Sequence, residues 1–265
     1  MKLSPAMIVV LLSVPLAGQW SYPTAGVPRT PDGKPNLSAP APRTADGKPD
    51  FSGTWDVEHN RGCPPEGCFD FDAPKEFGKI GLGLKDGLPY QPWALELAKT
   101  RTANLRKDDP LSHCLPIGIM ELQTIPMFRK IIQVPGLLVT LSEYNASYRQ
   151  IFTDGRPAPV DPQPSWTGYS TGKWEGDTLV VVTTGFRDGI WLDTFGDPIT
   201  DAAKVTERMR RVNFGRLELE VTVDDPKAYT KPWTVKLNQN LVLDTDLLDY
   251  ICLENEKDVP HFVVK

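Results

Sequence analysis

The residues best suited to chemistry are a framed serine, three histidines and four cysteines. Gly168-Tyr169-Ser170-Thr171-Gly172 fits the G-x-S-x-G nucleophile pattern by letter. His261 and several aspartates follow it, in the chain order of α/β-hydrolases. That pattern needs a strand, a sharp turn and then a helix to present the serine. Here Lys173-Trp174-Glu175-Gly176-Asp177 leads into another strand-like run, so the context for an activated serine is missing. His59 sits beside Asp56 and Glu58, and acid–base work there needs a carboxylate or hydroxyl within hydrogen-bond reach. His59, Cys63 and Cys68 with Asp70 or Asp72 make a metal alternative whose spacing matches no standard zinc pattern. Gly81, Gly83 and Gly87 lack the preceding strand and following helix of a dinucleotide loop. The sequence therefore calls for no metal and no cofactor.

A second constellation is a stripe of aromatic and polar side chains: Glu143, Tyr144, Tyr148, Arg149, Trp166, Tyr169 and Trp191. By strand alternation Tyr144 and Tyr148 share one face, with Glu143, Asn145 and Arg149 on the other. If Glu143 and Arg149 face inward, they form a polar spot inside an apolar cup, the usual design of a small-molecule pocket. The partner is then a small apolar or aromatic molecule. The competing reading makes the rings core and the charges solvated, because Trp and Tyr are often buried for packing alone.

The elements that must hold these residues are mostly strands. Residues 51–57, 128–134, 137–143, 146–153, 166–174, 178–184, 204–212, 216–224, 233–243 and 247–254 each read as a strand, with turn signals such as Asp154-Gly155 between them. Leu217, Leu219, Val221 and Val223 alternate with Glu218, Glu220, Thr222 and Asp224, giving one buried and one wet face. Many strands at this spacing predict a mainly β fold, a barrel or a sandwich, and the expectation taken is an antiparallel up-and-down β-barrel, because closure removes exposed edges. Residues 92–107 form the one expected helix, opened by Pro92 and ended by Asp108-Asp109-Pro110. It lies in a long irregular insert, 58–127, within a barrel domain spanning 50–265. Arg208, Arg210 and Arg211 with Glu207 read as a salt-bridged sheet face.

The chain starts as an exported one would. Lys2 and the apolar run 7–16 form a signal-like segment about ten residues long, too short to span a bilayer, with a small-residue site near Ala17 and Gly18. Residues 1–18 are thus expected as a signal peptide, and no later segment is long and apolar enough to be a transmembrane span. Residues 19–49 are expected as a Pro-rich linker, extended or disordered, carrying the near repeat PRTPDGKP (28–35) and PRTADGKP (42–49). The net charge of −5 and the lack of a basic stripe argue against nucleic acid as partner. An even number of cysteines in an exported chain implies disulfides. Four cysteines allow three connectivities; the closeness of Cys63 and Cys68 favours a local loop, and Cys114 with Cys252 would then tie the middle of the chain to its end.

Two resemblances bear on this reading. Gly53-Thr54-Trp55, opening the first strand, resembles the G-x-W signature of lipocalins and related calycin barrels, where the Trp plugs the closed end. Across more of the chain, the segments ADGKPDFSGTW (45–55), YRQIFTDGRP (148–157), GYSTGKWEGDTLVV (168–181), VTERMRR (205–211) and VDDPKAYTKPW (223–233) resemble a large family of exported bacterial proteins without an assigned activity. The resemblance implies export to the periplasm or beyond and a shared β fold, and it carries no catalytic residues. Three functions follow as expectations: a small-molecule-binding barrel, an exported hydrolase, lyase or isomerase working through Glu143, Tyr148, Arg149 or His59, or an envelope protein that engages partners through its Pro-rich stretch.

Overall fold

The computed structural model describes residues 26–59 and 73–254. The expected signal peptide, the Cys63–Cys68 loop, the metal alternative that depends on it and His261 lie outside the described residues. Nine strands close into one barrel in sequence order: β1 (Gly53–Val57), β2 (Arg129–Val134), β3 (Leu137–Ser142), β4 (Tyr148–Phe152), β5 (Tyr169–Glu175), β6 (Thr178–Thr184), β7 (Lys204–Asn213), β8 (Arg216–Asp224) and β9 (Trp233–Val242). The expected mainly β barrel is therefore the observed fold. All neighbours are antiparallel, β9 onto β1 included, except β4 and β5, which are parallel. Counting explains the exception. Directions that alternate all the way round a closed barrel require an even number of strands, so nine strands force a parallel pair.

Strand β9 closes the ring, and residues 247–254 do not. Thr54 to Val57 already occupy the β9 edge, in register with Val242 to Gln239. The segment after Asp246 instead crosses the outside of the barrel. It makes a single bridge, Tyr144 to Tyr250, and leaves Leu248, Tyr250 and Leu253 exposed. Cys252 is bonded to Cys114, with Cα atoms 5.4 Å apart, a normal disulfide separation.

Among the described residues, three α-helices lie between β1 and β2: α1 (Lys75–Gly78), α2 (Pro92–Ala103) and α3 (Ile119–Thr124). Helix α2 matches the expected helix but stops earlier, where Leu105 and Arg106 take left-handed backbone. It docks by its small side, Ala94 and Ala98, and is pinned by Trp93 Nε1 donating to Lys227 O and Arg101 Nη1 to Gly196 O. Helix α3 is buried along its whole length and closes the upper mouth of the barrel.

The lower end is closed by the G-x-W segment. Trp55 is fully buried, and its indole N–H donates to Phe51 O. Arg211 lies 4.8 Å over its ring and donates to Asp50 O and Ser52 O. Gly53 is required there. Its φ is +145°, and a Cβ would stand 2.6 Å from Leu241 Cδ1. The described part of the Pro-rich stretch is folded rather than a free linker. Each copy of the repeat makes the same turn, bridged Arg29 to Pro35 and Arg43 to Pro49. The second copy is anchored by a bidentate Arg43–Asp177 pair. Ala39 O and Leu37 O receive the amides of Phe214 and Gly215. Few apolar residues are needed because backbone pairing and turn chemistry hold these residues in place.

Candidate functional site

Inside the barrel, the inward positions are filled rather than hollow. Val205, Glu207, Met209 and Arg211 are the buried phase of β7, while Lys204, Arg208 and Arg210 face solvent. Glu207 meets Arg149 of β4 across the interior. Arg149 Nη1 donates to Glu207 Oε1 at 3.0 Å, and Nη2 donates to Oε2. Arg149 Nε donates to Ser170 Oγ at 3.1 Å and Nη2 to Thr183 Oγ1 at 2.9 Å. Both charged side chains are 1% exposed or less. Low dielectric strengthens this pairing and makes any missing partner costly.

Helix α3 completes the network from above. Gln123 Nε2 donates to Glu207 Oε1, and Gln239 Nε2 donates to Gln123 O. Arg129 donates to Gln123 O, Ile125 O and Gln239 Oε1, so it holds the C-terminal carbonyls of α3. Burial pulls its guanidinium down to about 10, offset in part by Asp56. The space left beside Trp55, Arg129, Thr140 and Gln239 is about 10 Å³, room for a single water at most. The expected cup is a plugged lumen.

A larger space, lined by aromatic side chains, lies in the wall. Strands β4 and β5 share only two ladder pairs, Ile151–Ser170 and Phe152–Thr171, both toward the lower end. Above them the strands part. Residues preceding β5 stay with β6 instead: Ser165 N donates to Gly185 O, and Arg187 N to Ser165 O. Gly168 makes the divergence. Its φ is +67°, and a Cβ would lie 2.7 Å from both Thr183 Cγ2 and Thr184 O. The resulting cleft holds about 470 Å³, within the size range of small-molecule sites. Tyr148, Phe152, Trp166 and Tyr169 stand around it, Asn145 and Ser147 border it, and Arg149 and Ser170 lie at its floor. Phe152 and Tyr169 stack at 5.3 Å, and Arg187 covers the Trp166 ring at 4.6 Å.

Of the stripe expected from sequence, Tyr148, Arg149, Trp166 and Tyr169 thus come together at one cleft, and the other three do not. Residues 143–147 are a turn, with Asn145 and Ala146 at positive φ, and this breaks the assumed alternation. Tyr148 is outside at 64% exposure, whereas Tyr144 is buried and donates to Leu111 O at 2.9 Å. Glu143 does not face the lumen. Its carboxylate accepts the amides of Phe128 and Leu248 and so holds the C-terminal segment. Trp191 is core at the upper end, under Arg101 at 4.6 Å.

Sequence reasoning took Glu207 and Arg211 for the outer charged face, and both are on the buried phase of β7. Arg208 does lie on that face, paired with Glu175 at 3.0 Å. The signal for Glu207 was its phase, two residues from Val205 and from Met209. Ser170 lies on a strand, bonded to Arg149 and Thr183. It is not on a strand-to-helix turn. Among the described residues no cluster of His, Cys, Asp or Glu has the geometry to hold a metal ion.

Two further acid clusters lie above the barrel. Asp193 accepts the amides of Ile80, Phe195, Gly196 and Asp197. Burial and the neighbouring Asp197 raise its pKa well above the carboxylate range. Glu121 of α3 is 1% exposed, and burial, with Asp109 adding to it, pushes its carboxyl up to about 8. Both carboxyl groups accept backbone amides, Glu121 through Oε2 alone. No protein-family model matches the chain, and no curated protein sequence matches it.

Proposed function

We propose that this chain is an exported β-barrel binding protein whose ligand, a small apolar or aromatic molecule, sits in the wall cleft between β4 and β5 and not in the lumen. The observation that carries the reading is the contrast between a lumen with about 10 Å³ free and an aromatic-lined cleft of about 470 Å³. Apolar walls over a few fixed polar groups are the usual composition of a small-molecule site. The Arg149–Glu207–Ser170–Thr183 network supports such a site from behind, because it locks the floor in one geometry. Export rests on the signal-like start and on the Cys114–Cys252 pair, which suits an oxidising compartment. Kinship with the exported bacterial family is part of the same proposal and rests on the shared segments alone.

The test is a fluorescence titration of the full chain with 1-anilinonaphthalene-8-sulfonate. Saturable binding is expected, weakened about tenfold by Trp166→Ala. That corresponds to ~1.4 kcal/mol, a modest share of what a buried indole contributes. Thr140→Val, a lumen change, should leave binding as it was. Equal affinity in Trp166→Ala, or loss in Thr140→Val alone, would remove the cleft from consideration.

A further inference from the structure

The cleft offers more than aromatic walls: one of its sides is a strand edge. In the β3–β4 ladder, Ser142 N donates to Ser147 O and Thr153 N to Gly136 O. The alternation of an antiparallel ladder then assigns the inward-pairing backbone to Ser147, Arg149, Ile151 and Thr153. It turns the N–H and C=O of Tyr148 and the N–H of Gln150 toward the cleft, while the Gln150 C=O on the same side is taken by Ser170 N in the first parallel bridge. Ladder pairing with β5 begins only at Ile151. The upper part of β4 is thus a barrel edge left open where closure would normally remove it. Backbone groups so placed need a partner, from water or from a ligand.

Strand direction points to the kind of partner. β4 and β5 run the same way, and the cleft separates them exactly where they cease to pair. A segment running in the opposite direction between them is antiparallel to both. Above the parallel contact, the ring would then have only antiparallel neighbours and an even number of strands at that level. We infer that the ligand of this cleft is a short extended peptide segment, three or four residues long, that adds to the β4 edge antiparallel and presents aromatic or β-branched side chains to Trp166 and Tyr169. The length follows from the open edge, from Tyr148 to the Gln150 amide, about 7 Å at the rise of a strand, with a residue overhanging at one or both ends. Main-chain pairing supplies affinity in such strand addition, and alternate side chains supply selectivity. This inference rests on the cleft being the binding site and names the ligand class it takes.

The experiment uses the full chain, the blocked peptide acetyl-Thr-Val-Tyr-Val-amide, and two analogues N-methylated at residues one and three or at residues two and four. Side chains stay the same, and alternate backbone donors are lost. The parent peptide should bind and slow the hydrogen exchange of the Tyr148 and Gln150 amides at least tenfold. At least one analogue should bind at least tenfold more weakly. The anilinonaphthalene probe should be displaced by the parent. If both analogues bind as well as the parent, or the two amides gain no protection, strand addition is wrong while the cleft reading stands. If the probe binds with its Trp166 dependence but the peptide does not bind, the peptide inference again fails alone. If neither peptide nor probe binds, both fall.

Discussion

Replacing Glu121 by Gln should flatten part of the pH dependence of folding. Glu121 is 1% exposed on α3, its Oε2 accepts the Gly118 amide at 3.2 Å, and Oε1 finds no partner among the described residues. Burial first, and repulsion by Asp109 second, raise its carboxyl from 4.5 to about 8. The folded chain therefore keeps a proton that the unfolded chain has lost. Stability contributed by this group is full below pH 4.5 and declines as pH rises to about 8, because over that window the folded state binds more protons. The gap from 4.5 to about 8, at 1.36 kcal/mol per pKa unit, amounts to about 5 kcal/mol as an upper figure. Gln is neutral at every pH and keeps an acceptor for the Gly118 amide. Urea denaturation followed by tryptophan fluorescence at pH 5, 6.5 and 8.5 would compare the two proteins. The wild type should lose ~2–4 kcal/mol more than the variant between the first and last pH, since part of the loss has already occurred at pH 5. Asp193 titrates in both and cancels in the difference. Parallel curves for the two proteins would refute the buried, protonated Glu121.

The plugged lumen and the kinked seam each make a claim of their own. Glu207→Gln leaves the Arg149 guanidinium buried without a counter-charge, so denaturation should show a loss of about 3–5 kcal/mol, and the double change Arg149→Met with Glu207→Leu should recover most of it. Equal losses in single and double variants would mean that the pair matters only by packing. Gly168→Ala puts a Cβ 2.7 Å from Thr183 and Thr184 at φ +67°. It should cost at least ~1 kcal/mol in the same assay and alter the anilinonaphthalene titration, since the kink shapes the cleft. A silent Gly168→Ala would show that the divergence of β4 and β5 does not depend on this residue.

Much of the fold was legible in the chain because strand alternation is a local signal. Val205, Glu207 and Met209 share one face by spacing alone, and Leu217 to Val223 show the same period. The G-x-W start, the helix at Pro92 and the Cys114–Cys252 pair also follow from local or pairwise features. The turn at 143–147 hid Tyr144 from its expected place, since a break in periodicity leaves every later residue on the other face.

Which strand closes the ring is a different kind of question. Residues 247–254 carry the apolar pattern of a strand, yet β1 occupies the β9 edge, and one edge accepts one partner. That single competition removes a strand, leaves nine, and makes a parallel pair unavoidable between β4 and β5. Sequence alone determined that the chain would be short strands joined by tight turns and set the alternation within each strand. Tertiary structure decided that Arg149 would find Glu207, that α3 would plug the lumen, and that the wall would open beside Tyr148 and Trp166. The reason is physical: alternation is set by the geometry of one strand, whereas pairing depends on which edges remain free once the others have met.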